Sequence, residues 1–119
     1  MVQCSAPPLD LSFAALSDAT RRGIIAMLGR ASEASITSLA ETFEMTLTGM
    51  KKHVQVLERA GLVVTRKVGR VRTCRLGTRG LAAEAEWIEA HRRLFEARFA
   101  ALDDILDELQ REKDDGTAG

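Results

Sequence analysis

The sequence predicts a mostly helical chain with one small two-stranded sheet and a long final helix that pairs with a second copy. Three observations lead there. Apolar residues recur at steps of three and four through most of the chain. Two runs rich in β-branched residues, Val63–Val68 and Val71–Leu76, flank Gly69-Arg70, which is a two-residue hairpin signal. Beyond Thr78 there is no proline, and an apolar stripe continues over about four heptads.

The elements follow in order. Residues 1–8, ending in Pro7-Pro8, read as a flexible tail before a domain spanning 9–113. Leu9, Phe13 and Leu16 form a short apolar helical face. Asp18 is placed to cap a helix with Ile24, Ile25 and Leu28 inward, and Gly29 is expected to stop it. Arg30–Ala34 reads as a polar connection. Ser35 caps the next helix, which runs to about Phe43 with Ile36, Leu39, Ala40 and Phe43 on one side. After the turn at Glu44-Met45, Thr46 caps a helix reaching about Ala60, with Met50, Val54 and Leu57 inward and Gly61 at the left-handed position past its end. Two helices of this size across so short a turn make a helix-turn-helix.

In the hairpin, apolar residues are expected on one face and Arg or Lys on the other. The last helix is expected from about Thr78 to Lys113, with 114–119 as a second flexible tail. Its stripe is Leu81, Ala85, Ile88, Phe95, Phe99, Leu102, Leu106 and Leu109, with Arg92 at the missed position and Trp87, Leu94 and Ile105 beside it.

Composition narrows the function. A chain of 119 residues, 45% hydrophobic, is about one domain, and a second subunit would supply burial that a small helical chain lacks. No run approaches the roughly 20 apolar residues of a membrane span. Met1–Pro8 has neither the basic nor the apolar region of a signal peptide, so a cytoplasmic protein is expected. Cys4 and Cys74 form no disulfide framework, and neither spacing nor context assigns them a redox or metal role. The neutral total conceals a division. Lys51–Arg75 holds eight Lys/Arg against the single acid Glu58, whereas Glu84–Asp115 holds eleven acids against five bases. A basic helix followed by a basic ribbon suits double-stranded DNA.

Two motifs carry a resemblance. Leu16-Ser17-Asp18-Ala19-Thr20-Arg21-Arg22 with Ile24, Ile25 and Leu28, and Lys52-His53-Val54 with Val56-Leu57-Glu58-Arg59-Ala60-Gly61-Leu62-Val63, resemble the opening and the recognition helix of ArsR-type winged helix-turn-helix regulators. The match covers about Leu9 to Leu109. It implies a homodimeric DNA-binding repressor whose terminal helices form the interface, here through Leu9, Phe13, Leu81, Ile88, Phe95, Phe99, Leu102 and Leu106. Gly49 and Lys51 depart from the small or hydroxyl side chains typical of the family, so no operator sequence carries over.

Within that frame, Thr46, Thr48, Lys51, Lys52 and Gln55 at the start of the recognition helix are candidate contacts to bases and phosphates. The bland alternative is a solvated helix face with Thr46 as a cap. His53 stands where the family often has a histidine, and reads as a DNA contact or a packed helix residue. Arg70 marks the wing tip, where an arginine can read a narrow minor groove. Arg66, Lys67 and Arg72 would neutralise phosphates, unless these charges simply protect a sheet edge. Arg22, with Arg21, would meet the DNA backbone or bridge to Asp18.

Metal sensing fits poorly. Ile36–Phe43 has no cysteine pair, and Glu89-x-His91 supplies half of a carboxylate–histidine site, with aspartates where a second histidine would stand. No metal, cofactor or catalytic group is expected, because no nucleophile has a base at workable spacing and no glycine-rich phosphate loop exists. The expected function is a repressor on a palindromic operator, with no inducer identified. The alternatives are a dimeric winged-helix protein-interaction module, or a metal-responsive repressor using His91 and acidic residues of the last helix.

Overall fold

The computed structural model describes residues 9–118, with side chains through residue 113. The tail expected at 1–8, which contains Cys4, lies outside the described residues. The elements are α1 (Leu9–Leu16), α2 (Ala19–Ala31), β1 (Ala34–Ser35), α3 (Ile36–Thr42), α4 (Leu47–Arg59), β2 (Val63–Val68), β3 (Val71–Leu76) and α5 (Ala82–Ala118).

The starts of α2, α3 and α4 are each fixed by a side chain accepting a backbone N–H that has no partner within the helix. Asp18 accepts from Arg21 N at 3.0 Å, which is the largest cause holding its carboxyl below the usual range. Ser35 accepts from Ser38 N and Thr46 from Gly49 N, each at 3.0 Å. The end of α4 closes as a Schellman motif: Gly61 N donates to Glu58 O at 2.9 Å and Leu62 N to Leu57 O at 3.0 Å, with Gly61 at φ 77°.

Gly29 does not stop α2. The helix continues to Ala31 and ends at Ser32, which takes φ 72° and donates its N–H to Leu28 O. A glycine inside a helix costs only about 1 kcal/mol and terminates nothing unless it adopts a left-handed conformation. Nor is Arg30–Ala34 only a connection. Ala34 and Ser35 form β1 and pair with Cys74 and Thr73, giving a three-stranded antiparallel sheet in the order β1-β3-β2. Two residues are too few to show a period of two.

The hairpin has the expected ends and register, from Val63↔Leu76 to Val68↔Val71, and Gly69 turns it at φ 63°. Its two faces are not divided by polarity. Lys67 and Arg72 share a face with buried Val63 and Cys74, while Arg66 and Arg75 share the other with exposed Val64, Val68 and Val71. Adjacent valines at 63–64 and adjacent cations at 66–67 break strict alternation, so both faces carry charge.

The core gathers Ala15, Ile24, Leu28, Leu39, Met50, Val54, Leu57, Leu62, Val63 and Cys74 around α4. Burying each large aliphatic side chain contributes roughly 1.5–3 kcal/mol. From α1 it is Ser12 and Ala15 that are buried, rather than the face bearing Leu9 and Phe13. Gly77 N donates to Leu62 O at 2.9 Å, and a Cβ at Gly77 would lie 2.5 Å from Gly61 O, so only glycine fits there.

Between the sheet and α5, Arg79 grips Glu84 with two hydrogen bonds, 2.6 and 3.2 Å long, and donates a third to Ala60 O at 3.1 Å. Glu84 is 3% exposed, not part of a solvated acidic face, and the arginine pulls its carboxyl down to about 2. Gly80 at φ 66° keeps the chain out of helical geometry, so α5 starts at Ala82 rather than Thr78. Its backbone stays helical to Ala118, five residues past the expected end at Lys113, since no proline or cap intervenes.

The chain divides between Glu84 and Ala85 into two units. In the second, the helical stretch of α5, Ile88, Phe95, Phe99, Leu102 and Leu106 are all at least half exposed. Glu89, Arg92, Arg93 and Glu96 form ion pairs around the stripe position that Arg92 occupies.

Candidate nucleic-acid interface

Thr48, Lys51, Lys52 and Gln55 are exposed and three or four residues apart, which places them on one face of α4. Thr46 begins that face as the cap, its oxygen committed to Gly49 N and its hydroxyl hydrogen still available to donate. Gly49 has a local reason: a Cβ there would come within 3.1 Å of Thr46 Oγ1 and 3.3 Å of Met45 Cε, crowding the cap.

The wing stands beside this helix. Lys51 and Gln55 from α4 and Lys67, Arg70 and Arg72 from the wing line one groove of about 590 Å³. Thr37, Leu47, Glu58 and Thr65 also line it, over an apolar floor of Ile36, Val54 and Val71. Thus five of the candidate contacts meet in one cleft, two from the helix and three from the ribbon. Arg66 lies elsewhere, in a hollow on the opposite face of the sheet with Glu33, Thr73 and Arg75.

Two candidates are engaged inside the protein. Arg22 Nη1 donates to Leu16 O at 2.7 Å. His53 is only partly exposed, and its Nδ1 lies 3.1 Å from Arg21 Nη1. A guanidinium can only donate, so in this contact Nδ1 is the accepting side. The same arginine donates to Ala15 O at 2.7 Å and Ala14 O at 3.2 Å, capping the C-terminus of α1. His53 is therefore tied from α4 to Arg21 of α2, as the packed-helix reading expects, and its ring keeps partial exposure. It follows α4 positions 50 and 54 toward the core, and that inward lean is invisible to a motif.

The helix-turn-helix domain model matches residues 16–66, from the end of α1 into the wing. A crystallised ArsR family transcriptional regulator is 36% identical over 81% of this chain and 97% of its own, with a TM-score of 0.68. The chain belongs to the ArsR family of transcriptional regulators. An ArsR-like regulator from Rhodococcus sp. RHA1 is also 36% identical, covering 84% of this chain and 91% of its own at a TM-score of 0.68. HlyU from Vibrio cholerae N16961 is 28% identical over 73% of this chain and 90% of its own, with a TM-score of 0.56. No curated protein matches.

As an ArsR-family member the chain is a DNA-binding transcriptional regulator, not an enzyme. Its winged helix-turn-helix fold is the one the sequence predicts. Among the described residues, no group of three or more His, Cys, Asp or Glu side chains is placed to hold a metal ion. In this ArsR-family chain His91 stacks on Trp87 at 3.9 Å, with its Nδ1 2.8 Å from Trp87 O. Glu89 is held by Arg92 and Arg93. Cys74 is fully buried, and desolvation raises its thiol to about 11. Among the described residues, no helix is long and apolar enough to cross a membrane.

Sequence reasoning missed Glu58, Thr65 and Thr37 as groove residues. Thr65 lies seven positions beyond Glu58, across a helix end and a turn, a separation with no periodic signature.

Proposed function

We propose that this chain is a homodimeric repressor that binds a palindromic operator and occludes a promoter. The observation that carries the reading is the groove in which Lys51 and Gln55 of α4 face Lys67, Arg70 and Arg72 of the wing. An α4 of this width fits a major groove, with Thr46, Thr48, Lys51, Lys52 and Gln55 toward bases and phosphates. Arg70 at the wing tip reaches an adjacent minor groove, and Lys67 and Arg72 neutralise phosphates.

The dimer is supported by the exposed heptad stripe of α5, since Phe95, Phe99, Leu102 and Leu106 would otherwise stay in water. Two copies related by a two-fold axis present two recognition helices to half-sites about one helical turn apart, which is why the operator is palindromic.

Fluorescence anisotropy with random-sequence duplex tests the reading. Binding is expected at low salt, with affinity falling linearly against salt on logarithmic axes. Absence of binding at low salt overturns it. Sequencing genomic fragments retained by the protein then yields the operator, and a set lacking two-fold symmetry removes the palindrome.

A further inference from the structure

Resting on the DNA-binding reading, we infer that Glu58 acts through the Thr65 hydroxyl to position Arg72 over the groove. Glu58 is the one acid among the eight bases of Lys51–Arg75. An acid on a surface that meets a polyanion weakens binding unless it organises something that strengthens it.

The geometry supplies that role. Thr65 Oγ1 donates to Glu58 Oε2 at 2.8 Å, and Arg72 Nη1 donates to Thr65 Oγ1 at 3.1 Å. A hydroxyl has one hydrogen to give and lone pairs to receive, so the carboxylate takes the hydrogen and turns a lone pair toward the guanidinium. Both terminal groups are charged, which strengthens each link. The relay runs from the last turn of α4 across β2 to β3.

Arg72 needs such an anchor. It pairs across the strands with Lys67 on the same face, and like charges placed opposite repel. Without a partner, that repulsion would splay both side chains away from the cleft. With the relay, one guanidinium is fixed beside Lys51 and Gln55 before DNA arrives, so less side-chain freedom is lost on binding. Glu58 and Thr65 are therefore positioning residues, and Arg72 is the group that meets the phosphate.

Two substitutions at one position separate this from plain electrostatics. Glu58→Gln removes the charge and keeps an acceptor for Thr65, whereas Glu58→Ala removes both and favours the helix. Charge alone makes both variants bind a random duplex equally more tightly. The relay makes Glu58→Ala roughly two- to tenfold weaker than Glu58→Gln, the worth of one immobilised side chain. Thr65→Val should fall by a similar factor while keeping the wild-type salt slope, and Thr65→Ser should restore it. Thr65→Val combined with Arg72→Ala should bind no more weakly than Arg72→Ala alone. Equal affinities for the two Glu58 variants, or losses that multiply in the double variant, overturn the relay.

NMR relaxation of the Arg72 side chain in the free protein tests it without DNA. Order should drop in Thr65→Val, and an unchanged value overturns the relay. Failure of the wild-type protein to bind any duplex would instead overturn the DNA-binding reading while leaving this free-protein result standing.

Discussion

Arg79 and Glu84 form a two-pronged ion pair in which the carboxylate is buried and the arginine also holds the carbonyl of Ala60 at the end of α4. The end of the recognition helix and the beginning of α5 are thereby fastened to one guanidinium.

Glu84→Ala should destabilise the protein by about 3 kcal/mol, the low end for a broken buried pair because Arg79 keeps some solvent access. The pH dependence follows from a carboxyl lowered from 4.5 to about 2 on folding. A depressed carboxylate stabilises fully above its unfolded value, so this contribution is complete above about pH 4.5 and lost as pH falls toward 2. Urea denaturation across that range checks it, and a Glu84→Ala variant as stable as wild type at pH 7 would contradict it.

Arg21→Ala should cost about 1–2 kcal/mol by freeing the carbonyls of Ala14 and Ala15 and the Nδ1 of His53. The salt slope of DNA binding should not change, because this guanidinium is engaged within the fold. A slope lowered by about one would place Arg21 on a phosphate instead.

Replacing Lys51 and Lys52 with alanine should lower the salt slope by about 0.9 for each phosphate no longer neutralised. Stability should hold, since both side chains are exposed and alanine favours helix. Salt titrations of anisotropy measure the slope, and an unaltered value removes both lysines from the interface.

Phe99→Glu should convert a dimer to a folded monomer, because it sets a charge inside the apolar seam proposed for α5. Sedimentation velocity reports the mass and circular dichroism the helix content. A wild-type protein already monomeric at micromolar concentration would overturn the dimer.

In a Cys4→Ser chain, Cys74 should resist thiol reagents at neutral pH and react only after denaturation, being buried and raised to about 11. A thiol whose folded value lies above its unfolded one destabilises as pH rises, so stability should decline between about pH 9 and 11. Rapid labelling of the native protein would refute the burial.

Most of the fold was legible because its signals are local. Asp18, Ser35 and Thr46 each cap within three residues, and Gly61 and Gly69 mark their turns by chain geometry alone. What escaped depends on distant partners. Ala34–Ser35 becomes a strand only because β3 passes beside it, and Glu84 is an inner residue only because Arg79 folds over it. The candidate interface divides the same way. Spacing finds Lys51 and Gln55 on one helix face, but hairpin register decides that Lys67 and Arg72 join them while Arg66 does not. His53 shows the limit of motif reading, since its sequence position says nothing about the arginine behind it.

Ser35 pairs with Thr73 in the wing and also caps α3, so one residue belongs to both structures. The ribbon is thus held from one side at its middle rungs, Thr73 and Cys74, and projects beyond them as a two-stranded overhang. The outer rungs, Lys67–Arg72 and beyond, have no third strand beside them. DNA of differing shape would be met by flexing the tip, while the reading helix keeps its bearing.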